Sequence, residues 1–488
     1  MHWLGHIRHH VRSASAMLRP GRLQAGPAAL VAVGLAFALT GVAREGATAA
    51  NAAPAAPVCK NNSAARIPQP TNAHMAAAGL NEHPVAPTRK RVDLVAPRFS
   101  NPTNITNPLF PISKLHSVVL NGRVSGKAFR TETTLLPETR VIEWSKGRCV
   151  KTLVSQYFAY LDGRIEEVAL DFYAQGDDGS VWYFGEDVYN YKDGVIADTS
   201  GTWLAGKEGP AAMIMPAAPK VGDVHRPENI PGLVWEEVAA KTIDKTVDGP
   251  RGRIPGALIA SELHDDGSFS DKVFAPGYGE FSSAHDGDLE ALAVAVPTDA
   301  LKTPMPRELA RLTNGANRLF DVAAAKRWSE ARGLVGTVTA AWQTHRRRGL
   351  PPRLVGPANA AVTALTKAVD ARSARRARHA ALDVVQAGLD LQLRYRSPAA
   401  IDRARFDLWA RQVLVDAEAR DVPAVSGDAA TLEWIRDRIS HTLDSVSVTR
   451  LDTRLEELRA NVSDEELAAA ANTARALRRV LAAARADR

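Results

Sequence analysis

The chain has 488 residues, 45% of them hydrophobic and 24% charged, with a net charge of +7; this is too long for one small core and excludes collagen-like or compositionally disordered classes. The positive balance is not a nucleic-acid footprint, because it is unevenly placed. Residues 1–49 carry Arg8, Arg12, Arg19, Arg22 and Arg44 against Glu45, residues 306–488 carry 31 basic and 22 acidic residues, and residues 50–305 are left at −6.

Residues 1–49 read as an export signal. A basic stretch from Arg8 to Arg22 precedes an apolar run from Ala28 to Ala43, and Ala47-Thr48-Ala49 offers the small residues that a signal peptidase accepts. Roughly 15 apolar residues fall short of the ~20 that span a bilayer. The expectation is therefore a cleaved signal, with a retained N-terminal anchor as the alternative, and a secreted or extracytoplasmic envelope location. Such a location disfavours nucleic acid as a partner, leaves membrane association peripheral at most, and permits Cys59 and Cys149, the two cysteines of the chain, to pair.

Residues 50–91 are rich in Ala, Pro and Asn without periodicity and predict a flexible tether. From 92 to 300 the pattern becomes that of strands. Phe129 to Thr133 alternates, as does Val150 to Tyr160, where Leu153, Ser155, Tyr157 and Ala159 share a face. Asp-Gly pairs at 162–163, 178–179, 193–194, 248–249, 266–267 and 286–287 suit tight hairpin turns. The spacing predicts an antiparallel meander of about ten strands, curved or barrel-like to protect its edges.

After Pro304 and Pro306 the spacing turns helical, and residues 306–488 predict a separate all-α domain of helical hairpins or a bundle. Breaks near Trp328, Ala371 and Asp421 mark three weak repeats of about 42 residues, begun at Asn317, Asn359 and Ile401. Ser463 with Glu466 predicts the capping box of a last helix from Asp464 to Arg485. The fold class is thus α+β, strands first and helices after.

Three segments, Asn104 to Pro111, Gly179 to Asp187, and Phe274 to Phe281 (Phe-Ala-Pro-Gly-Tyr-Gly-Glu-Phe), resemble a family of uncharacterised secreted proteins associated with actinobacteria. The Ala-Pro-Gly-x-Gly core is similar to a strand-end motif of β-rich bacterial lipoproteins. The resemblance covers about 200 residues; it implies an envelope β-domain and brings no catalytic residues with it.

The most concentrated chemical feature is an acidic, aromatic pair of strands. Glu167 and Asp171 share one predicted face, with Glu166 opposite, and Trp182, Tyr183, Glu186 and Asp187 follow on the next strand. Aromatics beside carboxylates suit a glycan or amphipathic ligand, two carboxylates suit acid–base hydrolysis, and an ordinary sheet with aromatic cross-strand pairs and solvated acids accounts for the same residues. Met213 and Met215 with His225 suggest a soft-metal, copper-type site, against the plainer reading of a buried strand face. His345, His379 and His441 fall on three predicted helices without a second ligand beside them, and the Trp residues at 328, 342, 409 and 434 read as core. The Arg clusters at 346–348 and 375–378 read as a solvated face or a contact with an anionic envelope surface. Gly-x-Ser-x-Gly, His-Glu-x-x-His, Cys-x-x-Cys and P-loop patterns are absent from the sequence.

Together these features predict an exported envelope binding or scaffold protein. Its β-domain takes an amphipathic small molecule or envelope polymer, its helical domain contacts a protein partner, and no cofactor is expected. The alternatives are an extracytoplasmic metal-handling protein and a carboxylate-based hydrolase.

Overall fold

The computed structural model describes residues 63–484; the expected export signal, Cys59 and the start of the expected tether lie outside the described residues. Two short strands, β1 (Ala65–Arg66) and β2 (Val95–Ala96), pair with each other. The large sheet has fourteen strands. They are β3 (Ser117–Val124), β4 (Lys127–Ser145), β5 (Arg148–Leu161), β6 (Arg164–Gln175), β7 (Val181–Lys192), β8 (Val195–Asp198), β9 (Trp203–Leu204), β10 (Ala212–Met215), β11 (Val224–Ile230), β12 (Val234–Gly249), β13 (Gly252–His264), β14 (Phe269–Ala275), β15 (Gly279–His285) and β16 (Asp288–Val296). The first and last of these pair in the middle, giving the order β10-β7-β6-β5-β4-β3-β16-β15-β14-β13-β12-β11, with β8 and β9 added onto β7. Every ladder is antiparallel, as the turn chemistry predicts. At Asp162-Gly163, Asp193-Gly194 and Asp286-Gly287 both residues take positive φ, the backbone that a two-residue hairpin needs to follow the strand twist.

The sheet curls upon itself without closing. β6 and β15 are five strands apart along the ladder, roughly 24 Å at the usual spacing, yet Asp171 on β6 feels the charge of Glu280 just inside β15. The indole N–H of Trp203 on β9 donates to Glu228 on β11 at 3.2 Å, so side chains from the two ends of the path meet. No backbone ladder joins β10 to β11. Register shifts supply the bending: one lies between Leu135 and Thr139 of the 19-residue β4, around Pro137, and others run along β12 from Ala240 to Val247.

Residues 63–91 are docked onto the sheet, which corrects the expectation of a free tether over the described part of that segment. A short helix, α1 (Asn72–Ala77), buries Met75, which with Leu80 packs against Trp235 and Leu263. Arg91 and Asp93 form a buried ion pair at 2.6 Å, and the Asp93 carboxylate also accepts the Arg226 N–H. Cys149 is disulfide-bonded.

The second half of the chain forms four antiparallel helical hairpins: α2 (Arg307–Ala324) with α3 (Trp328–His345), α4 (Pro352–Asp370) with α5 (Ala374–Gln392), α6 (Pro398–Ala419) with α7 (Val422–Ile439), and α8 (Ser445–Ser463) with α9 (Leu467–Ala483). The breaks read from the sequence at 328, 371 and 421 are the hairpin turns. The pairs begin near Pro306, Pro351, Ser397 and Asp444. These are positions where Pro fits the first helical turn and Ser or Asp caps it: Ser397 accepts the Ala400 N–H and Asp444 the Ser447 N–H. The predicted cap of the last helix is displaced. Ser463 ends α8, and Glu465, at φ +55°, and Glu466 turn the chain into α9.

The helices cover the convex face of the sheet with a shared apolar core. Val119, Phe158, Tyr160, Val168 and Val294 from the strands pack in one cluster with Leu312, Phe320, Trp409 and Trp434. Tyr160 stacks on Trp409 with ring centroids 5.4 Å apart, and the Trp434 N–H donates to the Tyr191 hydroxyl at 2.8 Å. The β7–β8 hairpin tip sits against the start of α7. A Cβ at Gly194 would lie 2.1 Å from the Pro423 carbonyl oxygen, so this contact requires glycine.

A buried ionic layer also joins the two halves. Glu132 of β4 is 1% exposed and lies between Arg130 at 2.7 Å, Arg405 of α6 at 3.2 Å, and Arg438 of α7. Asp390 accepts from Arg130 and Arg405 at 2.8 and 2.9 Å, and Asp402 from Arg405 at 3.0 Å. Among the described residues no helix is long and apolar enough to cross a membrane.

Candidate functional site: the acid-lined concave face

Residues paired in register on neighbouring antiparallel strands share a face. The pairings Leu120–Thr131–Ala159–Glu167, Val118–Thr133–Tyr157–Ala169 and Ser155–Asp171–Glu186 therefore define the inner face of one half of the sheet. In the other half the rows are Glu228–Glu236–His264, Val238–Glu262–Ser270, and Lys272–Ser283–Glu290. Glu132, Gln156, Phe158 and Val168 occupy the alternate positions, which face the helices.

Eight carboxyl groups line the inner face: Glu167, Asp171, Glu186, Glu228, Glu236, Glu262, Glu280 and Glu290. All but Glu280 are buried. Their cationic complement on this face is Lys272, with His264 and His285. Burial raises the pKa of Glu186 to about 7, reinforced by the neighbouring charge of Asp171. Burial likewise lifts Glu290 to about 7, with help from Glu280. It lifts Glu262 to about 7 as well, with Glu236 adding to the effect and Lys272 and His264 opposing it. Glu167 and Glu228 are pushed well above the ordinary carboxyl range, first by burial and then by Glu186. So many carboxyls in one low-dielectric space cannot all ionise, and the face holds protons near neutral pH.

Hydroxyls without protein partners lie among these acids. Thr133 Oγ1, Ser155 Oγ, the Tyr157 hydroxyl and Asp171 Oδ2 are buried with no hydrogen-bond partner in the protein; the other Asp171 oxygen accepts from Tyr183 at 2.9 Å. Buried polar atoms are normally satisfied, so such a concentration marks a place for water or ligand. Thr133 and Ser155 open into a small pocket of about 40 Å³ whose remaining lining is largely apolar: Phe110, Ile112, Leu115, Val118, Leu120 and Tyr278, with Glu280 beside them. Two of the three segments that carry the family resemblance help to build it. Phe110, Pro111, Tyr278, Gly279 and Glu280 line the pocket, while Asn107 ties the third segment in by donating to the Gly179 carbonyl at 3.0 Å. Gly185, from that third segment, takes φ +119°. A Cβ there would lie 2.2 Å from the Trp203 carbonyl oxygen, so its absence lets β9 cross β7 and brings Trp203 beside Glu186.

Farther along the inner face runs a hydrogen-bonded relay. His264 Nδ1 lies 3.1 Å from Glu236 Oε1, and its Nε2 lies 3.0 Å from Ser270 Oγ. The Ser270 hydroxyl donates to Glu262 at 3.1 Å, and Lys272 Nζ sits 2.9 Å from the same carboxylate. Against the cost of burial, the bond to Glu236 and the charge of Glu262 raise the His264 pKa. The order Glu236–His264–Ser270 is that of an acid–base–nucleophile triad. Ser270, however, gives its proton to Glu262 instead of to His264, so the relay is not poised for nucleophilic attack.

Of the binding residues read from the sequence, Glu167, Asp171, Tyr183 and Glu186 come together on the concave face. Trp182 does not join them: alternation turns it to the other face, where it packs edge-on to Phe99 at 6.5 Å. Glu167 and Asp171 are four residues apart on one strand, about 13 Å between Cα atoms, whereas Asp171 and Glu186 are direct cross-strand partners. Met213 and Met215 are buried in the apolar cluster with Trp182 and Trp203. A register shift between them pairs Met213 with Trp182 and Met215 with Val181, so the two thioethers are not held on one face as regular alternation would require. His225 is buried against the Ile214 backbone, and burial lowers its pKa to about 4. On the helices, His345 is fully buried at the end of α3, His379 is exposed 3.4 Å from Asp383, and His441 is exposed on the turn before α8.

Sequence reasoning passed over Glu228, Glu236, Glu262, His264, Lys272, His285 and Glu290. The signal was the phase of alternation: Glu262 shares its face with Ala260 and Leu258, and Lys272 shares its face with Phe274. Charges in phase with apolar residues are charges turned inward. No protein-family model matches the chain, and neither does any curated protein.

Proposed function

We propose that this chain is an exported binding protein whose curled sheet receives an amphipathic ligand carrying a positive charge. The observation that carries the reading is the join of two surfaces: the apolar pocket at Phe110, Ile112 and Tyr278 runs into the unpartnered hydroxyls of Thr133, Ser155 and Tyr157 and then into the carboxyl row of Asp171 and Glu186. An apolar wall with a few convergent polar groups is the usual lining of a small-molecule site. The surplus of carboxyls selects for a cation, because an entering ammonium or guanidinium lets neighbouring acids ionise that otherwise hold protons. The export signal supports an extracytoplasmic location. The exposed Arg346, Arg347, Arg375 and Arg376 of the helical layer suit a contact with an anionic partner or envelope surface.

Native mass spectrometry on protein taken from its own envelope fraction tests the proposal. A bound organic cation is the expected result. Asp171→Asn with Glu186→Gln should reduce its occupancy at least ~10-fold, the worth of one charge-assisted contact. Protein carrying no organic mass, or a neutral ligand indifferent to these substitutions, would overturn the reading.

A further inference from the structure

The relay on β12, β13 and β14 lies away from the pocket, toward the opposite ends of the strands. Glu236, Glu262 and His264 each offer one ligand atom, all within 4.8 Å of one another, and all three side chains are buried. A first-row divalent ion binds carboxylate oxygen and imidazole nitrogen at ~2.0–2.2 Å, tetrahedrally, so its ligand atoms stand ~3.3–3.6 Å apart. The cluster needs to contract by at most about 1.5 Å, within the reach of side-chain rotation, to hold one.

His285 is the independent indication. It is 8% exposed, its ring stands edge-on to His264 with centroids 6.2 Å apart, and it extends the Lys272–Ser283 face by one alternation. Its Nδ1 is hydrogen-bonded to the Phe269 carbonyl oxygen, an acceptor only, so Nδ1 carries a proton. Its Nε2 has no hydrogen-bond partner and lies 3.6 Å from the Asp286 carboxylate. A histidine oriented through one nitrogen by a backbone carbonyl, with the other nitrogen open, is the arrangement found around protein-bound metals. A cleft lined by Lys241, Ser270, Asp271, His285, Asp286 and Asp288 opens beside His285, and its three carboxylates outweigh its one lysine, a balance that attracts a cation.

We propose that Glu236, Glu262 and His264, with His285 flanking them, form a site for a divalent transition-metal ion of the zinc type. The ligand set is nitrogen and oxygen without sulfur, which favours Zn²⁺ or Mn²⁺ over Cu⁺. Lys272, 2.9 Å from Glu262, is the competitor that neutralises the cluster when the ion is away. The site is independent of the proposed organic ligand: either could bind without the other.

The test is titration of the purified, chelator-stripped chain with Zn²⁺ by calorimetry, with Co²⁺ as a spectroscopic probe. One Zn²⁺ per chain is expected. Glu262→Gln or His264→Gln should weaken it by ~100-fold and His285→Gln by ~10-fold, losses at or above those seen when supporting residues of metal sites are changed. Lys272→Met should tighten it by ~10-fold, a gain that misfolding cannot imitate. Failure to take up Zn²⁺ would overturn the proposal. So would uptake indifferent to all four substitutions, which would assign the ion to other histidines such as His2, His6, His9 and His10.

Discussion

Two buried ionic layers occupy opposite faces of the same strands, and they are built on different rules. On the convex side Glu132, Asp390 and Asp402 meet Arg130, Arg405 and Arg438, three carboxylates against three guanidiniums. On the concave side the eight carboxyls face one lysine and two histidines. Both are costly to desolvate. The first is balanced within the protein and fixes how helices sit on sheet. The second is balanced by protons, which the proposed cationic ligand would displace. Neighbouring residues of β4 show the division: Glu132 belongs to the joint, Thr131 and Thr133 to the chamber.

The sharpest way to break this contrast is to remove one charge from each layer. Arg405 is fully buried and touches Glu132, Asp390 and Asp402. Arg405→Met leaves those carboxylates under-compensated and should cost about 3–5 kcal/mol, read as a lower urea midpoint with an unchanged slope. If an equal loss followed a charge deletion in the chamber, the two layers would be alike and the distinction would fail.

Glu290→Gln is that deletion, and it should act with the opposite sign. With its pKa raised to about 7 by burial and by Glu280, Glu290 binds a proton more tightly folded than unfolded. Its contribution to stability is therefore full below the unfolded carboxyl pKa, about 4.3, and is lost as pH rises toward 7. Glutamine mimics the protonated acid, so the variant should gain on the order of 3 kcal/mol at pH 8 and nothing at pH 4. Glu132 behaves inversely: against the cost of burial, Arg405, Arg130 and Arg438 hold its carboxyl far below the ordinary range, so its stabilisation is present above about pH 4.3 and fades as pH falls. Denaturation curves from pH 4 to 8 on the two variants separate the layers.

The difference between the layers also marks what could be read from the sequence. Hairpins follow from local chemistry, so Asp162-Gly163, Asp193-Gly194 and Asp286-Gly287 placed three turns and the breaks at 328, 371 and 421 placed the helix pairs. The acidic row of β6 and β7 was legible because Glu167, Asp171, Tyr183 and Glu186 lie close in the chain. The rest of the chamber was not. Curling brings Glu280 and Glu290 to Asp171 and Tyr157 across several strands, and no local pattern records how far a sheet bends. Trp182 was misread for a related reason: nearness in sequence suggested one surface where alternation makes two. The joint escaped as well, since pairing Glu132 with Arg405 and Arg438 depends on which face of the sheet the helices cover.

The smallest effect isolates the chamber's unmet hydrogen bonds. Thr131 and Thr133 sit on the same face of β4, both buried. Thr131 donates to Glu290 at 2.7 Å, while the Thr133 hydroxyl has no partner in the protein. Valine matches threonine in shape, so the two substitutions differ only in the bond removed. Thr131→Val should cost about 1 kcal/mol, the net worth of a typical buried hydrogen bond. Thr133→Val should be neutral or stabilising by up to about 1 kcal/mol, because a buried hydroxyl without a partner is desolvated for no return. A ligand that uses this hydroxyl would pull the other way, since Thr133→Val would then weaken binding while the free protein melted no lower. An equal loss of stability at both positions would show that Thr133 is already satisfied by ordered water, and the case for an open ligand site would then rest on the carboxyls alone.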